Sequence, residues 1–395
     1  MRDDSPAFGN ADSLITIDLD AVTANWQALD ARNGGAIETA AVVKADAYGL
    51  GAARVAPGLA AAGCRTFFVM SLDEAATLRR ALDAAGVEAV RIFALSGCHM
   101  GQEAAYRAHR VTPVVNSLGQ LRRLQDSGDP WQVAIHIDTG MTRLGLDRDE
   151  LVGLQDMMAT KGESGRGGLG NVTPCLVMSH LTAAEDLHDP ASARQLEGFL
   201  SLRALFPDVP ASLGNSAGTL LGSDYAFQMT RPGIALYGLH PAGLDAAGIQ
   251  RDEATSLTPA VIWQARILQH RQAAKGDAVG YNGTYVLKRD SRIVTLGIGY
   301  ADGYPRSLGN RAQVDIGGQM APVVGRVSMD SITVDVTDIN ADLVDATDHA
   351  TVLGPHYDLA QMAADAGTIG YEILTQLGQR PARCFKGGQK PEIGA

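Results

Sequence analysis

Ala40-Ala41-Val42-Val43-Lys44-Ala45-Asp46-Ala47-Tyr48-Gly49-Leu50-Gly51 is the stretch on which the reading of this chain turns. Four small or β-branched apolar residues run into a lysine, then into a glycine-punctuated turn and an alanine-rich helix over 52–62. An unbroken apolar run bounded by a turn reads as a strand covered on both faces. A lysine fits poorly there, since burying an unpartnered ammonium costs several kcal/mol in general. Lys44 is therefore either the solvated end of the strand or an amine whose pKa is lowered by its surroundings. In the second case it can attack an aldehyde to form a Schiff base. This stretch alone leaves both open.

Working outward, strand-like and helix-like segments alternate. Residues 14–19 read as a strand and 21–31 as a helix, after a loose leader over 1–13. Beyond the Lys44 helix come strand 66–70, a capping box at Ser71-Leu72-Asp73-Glu74 and the helix it opens. Strands follow at 90–95, 111–115, 132–138 and 175–180, with helices at 102–109, 117–125, 148–160 and 191–206. Residues 161–171, with five glycines, read as a mobile surface loop. Repeated units of this kind predict a parallel (β/α)8 barrel of the TIM type over 1–250. No G-x-G-x-x-G follows an early strand, which disfavours a dinucleotide fold. Past residue 250 the rhythm becomes short strands (260–268, 292–298, 313–316, 331–336) with glycine turns and a helix near 359–366. A mainly β domain over 251–395 is expected.

The totals agree with a globular chain of two domains, or of a barrel plus an addition. The chain has 395 residues, 46% hydrophobic and 19% charged, with a formal charge of −11. That sign disfavours nucleic-acid binding. The start of the chain lacks the apolar core of a signal peptide, and no run is long enough to span a membrane, so a cytoplasmic location is expected. Four scattered cysteines have no metal-ligand spacing, and no metal is expected.

In a barrel, reactive groups lie at the C-terminal ends of strands. Those ends carry Lys44 with Tyr48, then Arg143, His180, Asn215 with Ser216, and Arg231 with Gly233 and Ile234. Each has an ordinary reading: a hydrogen-bonded histidine, an arginine paired with Asp138 or Asp147, a serine capping a helix. Together they offer a Gly-, Ser- and Asn-rich phosphate cradle facing a lysine. Pyridoxal phosphate needs both.

Val42-Val43-Lys44-Ala45-Asp46-Ala47-Tyr48-Gly49 resembles the cofactor-lysine motif of the bacterial alanine racemases. Further similarities occur in order at 138–145, 179–181, 215–217, 231–238, 280–285, 299–306, 325–330 and 369–372, across both halves of the chain. The resemblance implies a pyridoxal 5′-phosphate enzyme that interconverts L- and D-alanine and supplies D-alanine for peptidoglycan. It implies that Lys44 holds the cofactor and acts as base on one face. Tyr281 is implied as the base on the other face, delivered by the partner subunit of a head-to-tail homodimer. Arg231 would face the pyridine nitrogen, His180 would orient Tyr281 through Arg231, and Arg143 would reach the ring oxygen and the substrate carboxylate. Tyr48, Asn215, Ser216, Gly233, Ile234 and Tyr371 would seat the cofactor. Met329, Asp330 and Tyr300 would line the substrate site, with Arg306, Arg326 and Ile369 along the access corridor.

Two positions depart from the family pattern. His136 stands where many members have a lysine, carbamylated in some, so whatever positions Arg143 must differ here. Glu185 stands where an aspartate is usual. Three other readings remain: a broader-specificity or serine racemase, a decarboxylase on the same barrel, and a non-enzymatic paralogue that binds the cofactor or a cycloserine-like drug. Arg231 argues against the decarboxylase, which needs an acid at that place, and the retention of both bases argues against the binder.

Overall fold

The long strand Val261–Ala273 and a ring of eight parallel strands organise the molecule. The computed structural model describes residues 8–159, 168–186, 188–242 and 256–388. Most of the glycine-rich loop and the expected domain boundary at 250 lie outside those residues.

Seven parallel strands run in sequence order: Ala41–Val42, Thr66–Val69, Arg91–Ala94, Val111–Val115, Trp131–His136, Val172–Met178 and Ala211–Ser212. Met229–Thr230 supplies the eighth and pairs in parallel with Glu38–Thr39, the leading half of the Lys44 strand. Backbone bonds from Ala40 N to Thr230 O and Val42 N to Pro232 O carry that pairing forward, and Gln228 N to Ala211 O joins the remaining gap. The ring is thus closed, as the strand–helix alternation predicted. Ala40, Ala41, Val42 and Val43 are all buried, because barrel strands have the packed interior on one face and helices on the other. Helix Leu72–Ala84 opens on the predicted capping box: Glu74 N donates to Ser71 Oγ at 3.3 Å and Ser71 N to Glu74 Oε2 at 3.4 Å.

The second body is an eight-stranded, largely antiparallel sheet. Its hub is Val261–Ala273, which pairs with His349–Leu353 and Ser13–Asp18 along its first half and with Ser291–Leu296 along its second. An irregularity between Ile267 and Gln269 marks the change of partner. Helix Leu359–Ala366 falls where the periodicity put it.

The beginning of the chain differs from its reading. Strand Ser13–Asp18 does not enter the barrel; it lies between Val261–Ala273 and Ala382–Lys386 in the β sheet. Residues 1–7 lie outside the description, but the rest of the expected leader is docked. Phe8 is buried, with its ring 5.6 Å from that of His349 and the Arg266 guanidinium 4.7 Å over its face. The alternation Leu14, Ile15, Ile17 identifies a strand but not its sheet, since period alone carries no partner information.

The two bodies are tied together near the site. Buried Asn25, on helix Leu19–Asn33, donates to Leu236 O at 3.0 Å and Thr258 O at 2.8 Å and accepts from Thr258 N at 2.7 Å. Its amide is satisfied on both sides, so truncation strands several buried groups. Asn25→Ala should cost about 1–3 kcal/mol in stability, read from the urea midpoint. A loss under about 0.5 kcal/mol, the range of surface substitutions, would contradict this.

Candidate active site at the barrel mouth

Each predicted strand-end residue lies at the C-terminal rim of the ring, as the chain's own geometry requires. Lys44 follows Val43 and opens an unusual turn: Ala45, Asp46, Ala47 and Tyr48 have φ of 51°, 54°, 56° and 57°. Four successive non-glycine residues in the left-handed region cost roughly 1–2 kcal/mol each in an unsupported chain. Here the turn is braced. Ala45 N donates to Glu74 Oε1 at 2.9 Å, Ala52 N donates to Asp46 Oδ1 at 2.7 Å, and Gly51 N donates to Asp46 O at 2.8 Å. The Tyr48 ring lies 5.0 Å from Tyr237 and 5.9 Å from Tyr371. Gly49 ends the turn at φ 84°, and a Cβ there would fall 2.6 Å from Leu374 O, so only glycine fits. That contact brings helix Gly370–Thr375, and with it Tyr371, onto the rim.

The Lys44 amine is held below its ordinary pKa, chiefly by burial and next by Arg143, with Glu74 opposing both. That direction is the one a Schiff-base lysine needs. His180 is driven well below the usual histidine range by burial and by Arg231, Arg143, Lys44 and His136. It therefore stays neutral. Fully buried Arg231 is lowered to about 10 by desolvation and so remains a cation at neutral pH. Its guanidinium donates to Ser179 O at 2.6 Å and to Ser212 Oγ. Among the described residues it makes no hydrogen bond to the His180 ring.

Arg143 rides on a loop that leaves the strand at His136 and returns through Leu146 N to His136 O at 2.8 Å. Asp138 does not pair with it. Its carboxylate accepts the loop amides of Gly140, Met141 and Thr142 at 2.9, 2.8 and 2.9 Å. His136 is buried beneath that loop, its Cδ2 3.2 Å from where a Cβ on Gly145 would sit. Asn116 Oδ1 lies 2.8 Å from His136 Nδ1, while the Asn116 amide donates to Leu95 O at 2.8 Å and Val114 O at 3.1 Å. Both amide hydrogens are committed, so the oxygen faces the ring and Nδ1 carries the proton.

A cradle occupies the last strand ends. Ser216 Oγ accepts from Gly233 N at 2.8 Å and from Ala235 N at 3.3 Å. A Cβ on Gly233 would fall 2.3 Å from the Tyr48 hydroxyl. Burial raises the pKa of Tyr48 and of Tyr371, keeping both as neutral donors. Asn215 is turned inward: Oδ1 caps Gly218 N at 2.9 Å and Nδ2 reaches Leu181 O at 3.4 Å.

The residues expected from the β domain form a separate group. Tyr281 is 69% exposed, Met329 53% and Tyr300 43%. Tyr300 N bonds Ser328 O and Ala301 N bonds Met329 O, which holds two of them together. Asp330 is engaged by Arg380 at 2.5 Å, the guanidinium that also holds buried Asp302 at 2.7 and 2.6 Å. No hydrogen bond, ion pair or ring contact among the described residues joins Tyr281, Tyr300 or Met329 to Lys44. The sequence reading missed Glu74 and Asn116 as parts of the rim. Asn116 left a signal, a polar residue between a buried strand and the helix-capping Ser117.

With this geometry in view, comparison with known proteins is decisive. Residues 17–241 match the family description "Alanine racemase, N-terminal domain", and residues 260–385 match "Alanine racemase, C-terminal domain". The chain belongs to the alanine racemase family. An alanine racemase of Acidiphilium cryptum is 48% identical over 375 residues, 94% of this chain and 98% of that one. One of Rhizobium meliloti is 41% identical, covering 97% and 99%. The crystal structure of the Bartonella henselae alanine racemase with covalently bound pyridoxal phosphate superposes at a TM-score of 0.83. It has 36% identity, covering 96% of this chain and 100% of that one.

The buried imidazole gives a pH prediction. His136 is lowered from 6.5 to about 4, mainly by burial, so between those values the unfolded chain holds a proton that the fold does not. Stability therefore rises with pH across that window and is lost as pH falls through it, by roughly 3 kcal/mol for this one group. His136→Gln should flatten the urea midpoint between pH 6.5 and 4 by one proton's worth. An unchanged slope would contradict the assignment.

Proposed function

We propose that this protein is an alanine racemase that uses pyridoxal 5′-phosphate and exchanges the α-proton of alanine between two faces. The observation that carries this reading is the desolvated Lys44 amine on the same rim as the Tyr48, Ser216 and Gly233 cradle. The residues fit the cofactor. An amine whose pKa is lowered by burial suits its aldehyde, and a glycine approached by a neutral tyrosine hydroxyl suits its phosphate. Lys44 would hold the cofactor covalently, Tyr48, Ser216, Gly233, Ile234 and Tyr371 would seat its phosphate, and Arg231 would face its ring nitrogen. When bound, the cofactor delocalises the electron pair left on the α-carbon as the proton departs.

This chain's own groups do the proton work. A base on one face can exchange a proton but cannot invert the carbon; inversion needs a second group opposite. Lys44 supplies the first. Tyr281 of a second copy supplies the opposite group, because in its own chain it stands exposed and unconnected to Lys44. Arg143, which pairs with no carboxylate among the described residues, would receive the substrate carboxylate, with Met329, Asp330 and Tyr300 of the second copy closing the site. Asp330 reaches it as one arm of the Arg380 network. Arg231 keeps its proton at neutral pH and so cannot protonate the ring nitrogen. His180, neutral beside it, adds no competing charge. We divide the domains at about residue 250, with the first strand crossing to the second domain.

The homodimer follows from the same division of groups, and the exposed apolar side chains of Tyr281, Tyr300, Met329 and Ile369 (62% exposed) give it a surface to cover. Among the described residues no helix is long and apolar enough to cross a membrane. A cytoplasmic enzyme supplying D-alanine to peptidoglycan is the role that fits.

Mixing inactive chains tests this reading. Tyr281→Phe and Lys44→Ala should each lose at least about 100-fold in kcat, with Tyr281→Phe melting like the parent. Random reassociation of the two should restore about a quarter of the parent activity, because each heterodimer holds one intact site. No recovery in verified heterodimers would refute shared sites. Borohydride fixing the cofactor to an amine other than Lys44 would refute the whole assignment.

A further inference from the structure

We propose that Glu74 is a positioning residue for Lys44: its carboxylate bridges two neighbouring strand ends and fixes the left-handed turn from which the lysine projects. The inference rests on the reading of Lys44 as the reactive amine.

Strand Ala41–Val42 runs in register beside Thr66–Val69, with Val42 opposite Phe68 and Val43 N bonded to Phe68 O at 2.9 Å. Beyond that bond the chains diverge, one into the left-handed turn and the other into helix Leu72–Ala84. Glu74 spans the gap. One oxygen accepts from Met70 N at 2.6 Å and Ser71 N at 3.4 Å, and the other accepts from Ala45 N at 2.9 Å.

An ordinary capping box needs only the first of these oxygens. The second serves an amide in another segment, 29 residues away and next to Lys44. Ala45 is the first residue of the turn with positive φ, so its N–H has no acceptor within the turn. Among the described residues Glu74 is its hydrogen-bond acceptor. Two of the later amides are served locally, Ala47 N by Val43 O and Gly49 N by Ala45 O. Releasing Ala45 therefore frees the turn where it joins the lysine. The carboxylate also favours a protonated amine at Lys44, against burial and Arg143, so its removal moves the lysine in charge as well as in place.

Three readouts on the cofactor-loaded dimer separate this role from simple helix capping. Glu74→Gln keeps the size of the side chain but turns an N–H₂ toward donors on one side. Glu74→Asp keeps the charge but is too short to span both strand ends. Ser71→Ala removes only the cap. Glu74→Gln and Glu74→Asp should each lower kcat about tenfold or more with KM within about twofold, as expected when a reacting group is misplaced. Ser71→Ala should keep kcat within about twofold at a comparable melting loss. Deuterium uptake of the peptide over residues 44–50 should be slow in the parent and faster in both Glu74 variants. Unprotected exchange of that peptide in the parent overturns the proposal whatever the variants do. So does an unchanged kcat in Glu74→Gln, or an equal loss in Ser71→Ala. If borohydride labels another lysine, the functional reading falls, while the exchange data still report whether Glu74 braces the turn.

Discussion

The desolvation of one amine sets the terms for the rest of the molecule. A lysine in water is protonated at neutral pH and is a poor nucleophile or base; burial in a low-dielectric setting and a neighbouring cation both shift it toward the neutral amine. The closed ring of strands supplies the setting. Val43 is buried immediately before Lys44, and the two bodies of the chain meet at Gly49 just beyond it. A second cation, Arg143, pushes the same way as burial, and Glu74 pushes back. In the proposed reading that opposition would have a use, since the amine would both give up and regain a proton within one cycle.

Holding such a lysine in place is expensive for the backbone, and the surroundings show how the cost is met. A left-handed turn through Ala45, Asp46, Ala47 and Tyr48 persists only where neighbouring contacts determine it fully. The braces come from different parts of the chain: Glu74 on a barrel helix, Ala52 at the start of the helix before it, and Leu374 and Tyr371 from the far end of the sequence. The β domain therefore supports the reactive strand of its own barrel as well as carrying Tyr281. The first strand deepens this coupling. Ser13–Asp18 belongs to the β sheet, yet it leads straight into helix Leu19–Asn33 of the barrel, where Asn25 fastens the segment returning to that sheet.

Much of this was legible in the sequence. Period and turn chemistry fix local conformation, so the Lys44 strand, the Ser71–Glu74 capping box and helix Leu359–Ala366 could all be read directly. Strand-end position then picked out Lys44, Arg143, His180 and Arg231 before any contact was known. What escaped was long-range partnership. The alternation at Leu14–Ile17 is the same whichever sheet receives it. A capping glutamate does not reveal that its other oxygen serves Ala45. His136 looked like a loss at its position, and only its bond to Asn116 shows a built, neutral imidazole beneath the Arg143 loop.

The separation of Lys44 from Tyr281 is best understood through the symmetry of the reaction. L- and D-alanine are mirror images of equal free energy, so the enzyme gains nothing by favouring either. It needs two different groups on opposite sides of one carbon, each able to hold the proton the other lacks. A single barrel rim presents its strand ends around one mouth and naturally approaches a flat ligand from one side. The opposite side is open to whatever covers the mouth. Tyr281 is exposed on the antiparallel domain and, among the described residues, has no contact with Lys44 of its own chain, so in the proposed reading it would cover the mouth of a second copy. Under the reading proposed above, two-fold association would make every chain donor and recipient at once, so the geometry that one fold cannot supply alone would be obtained twice from a single interface.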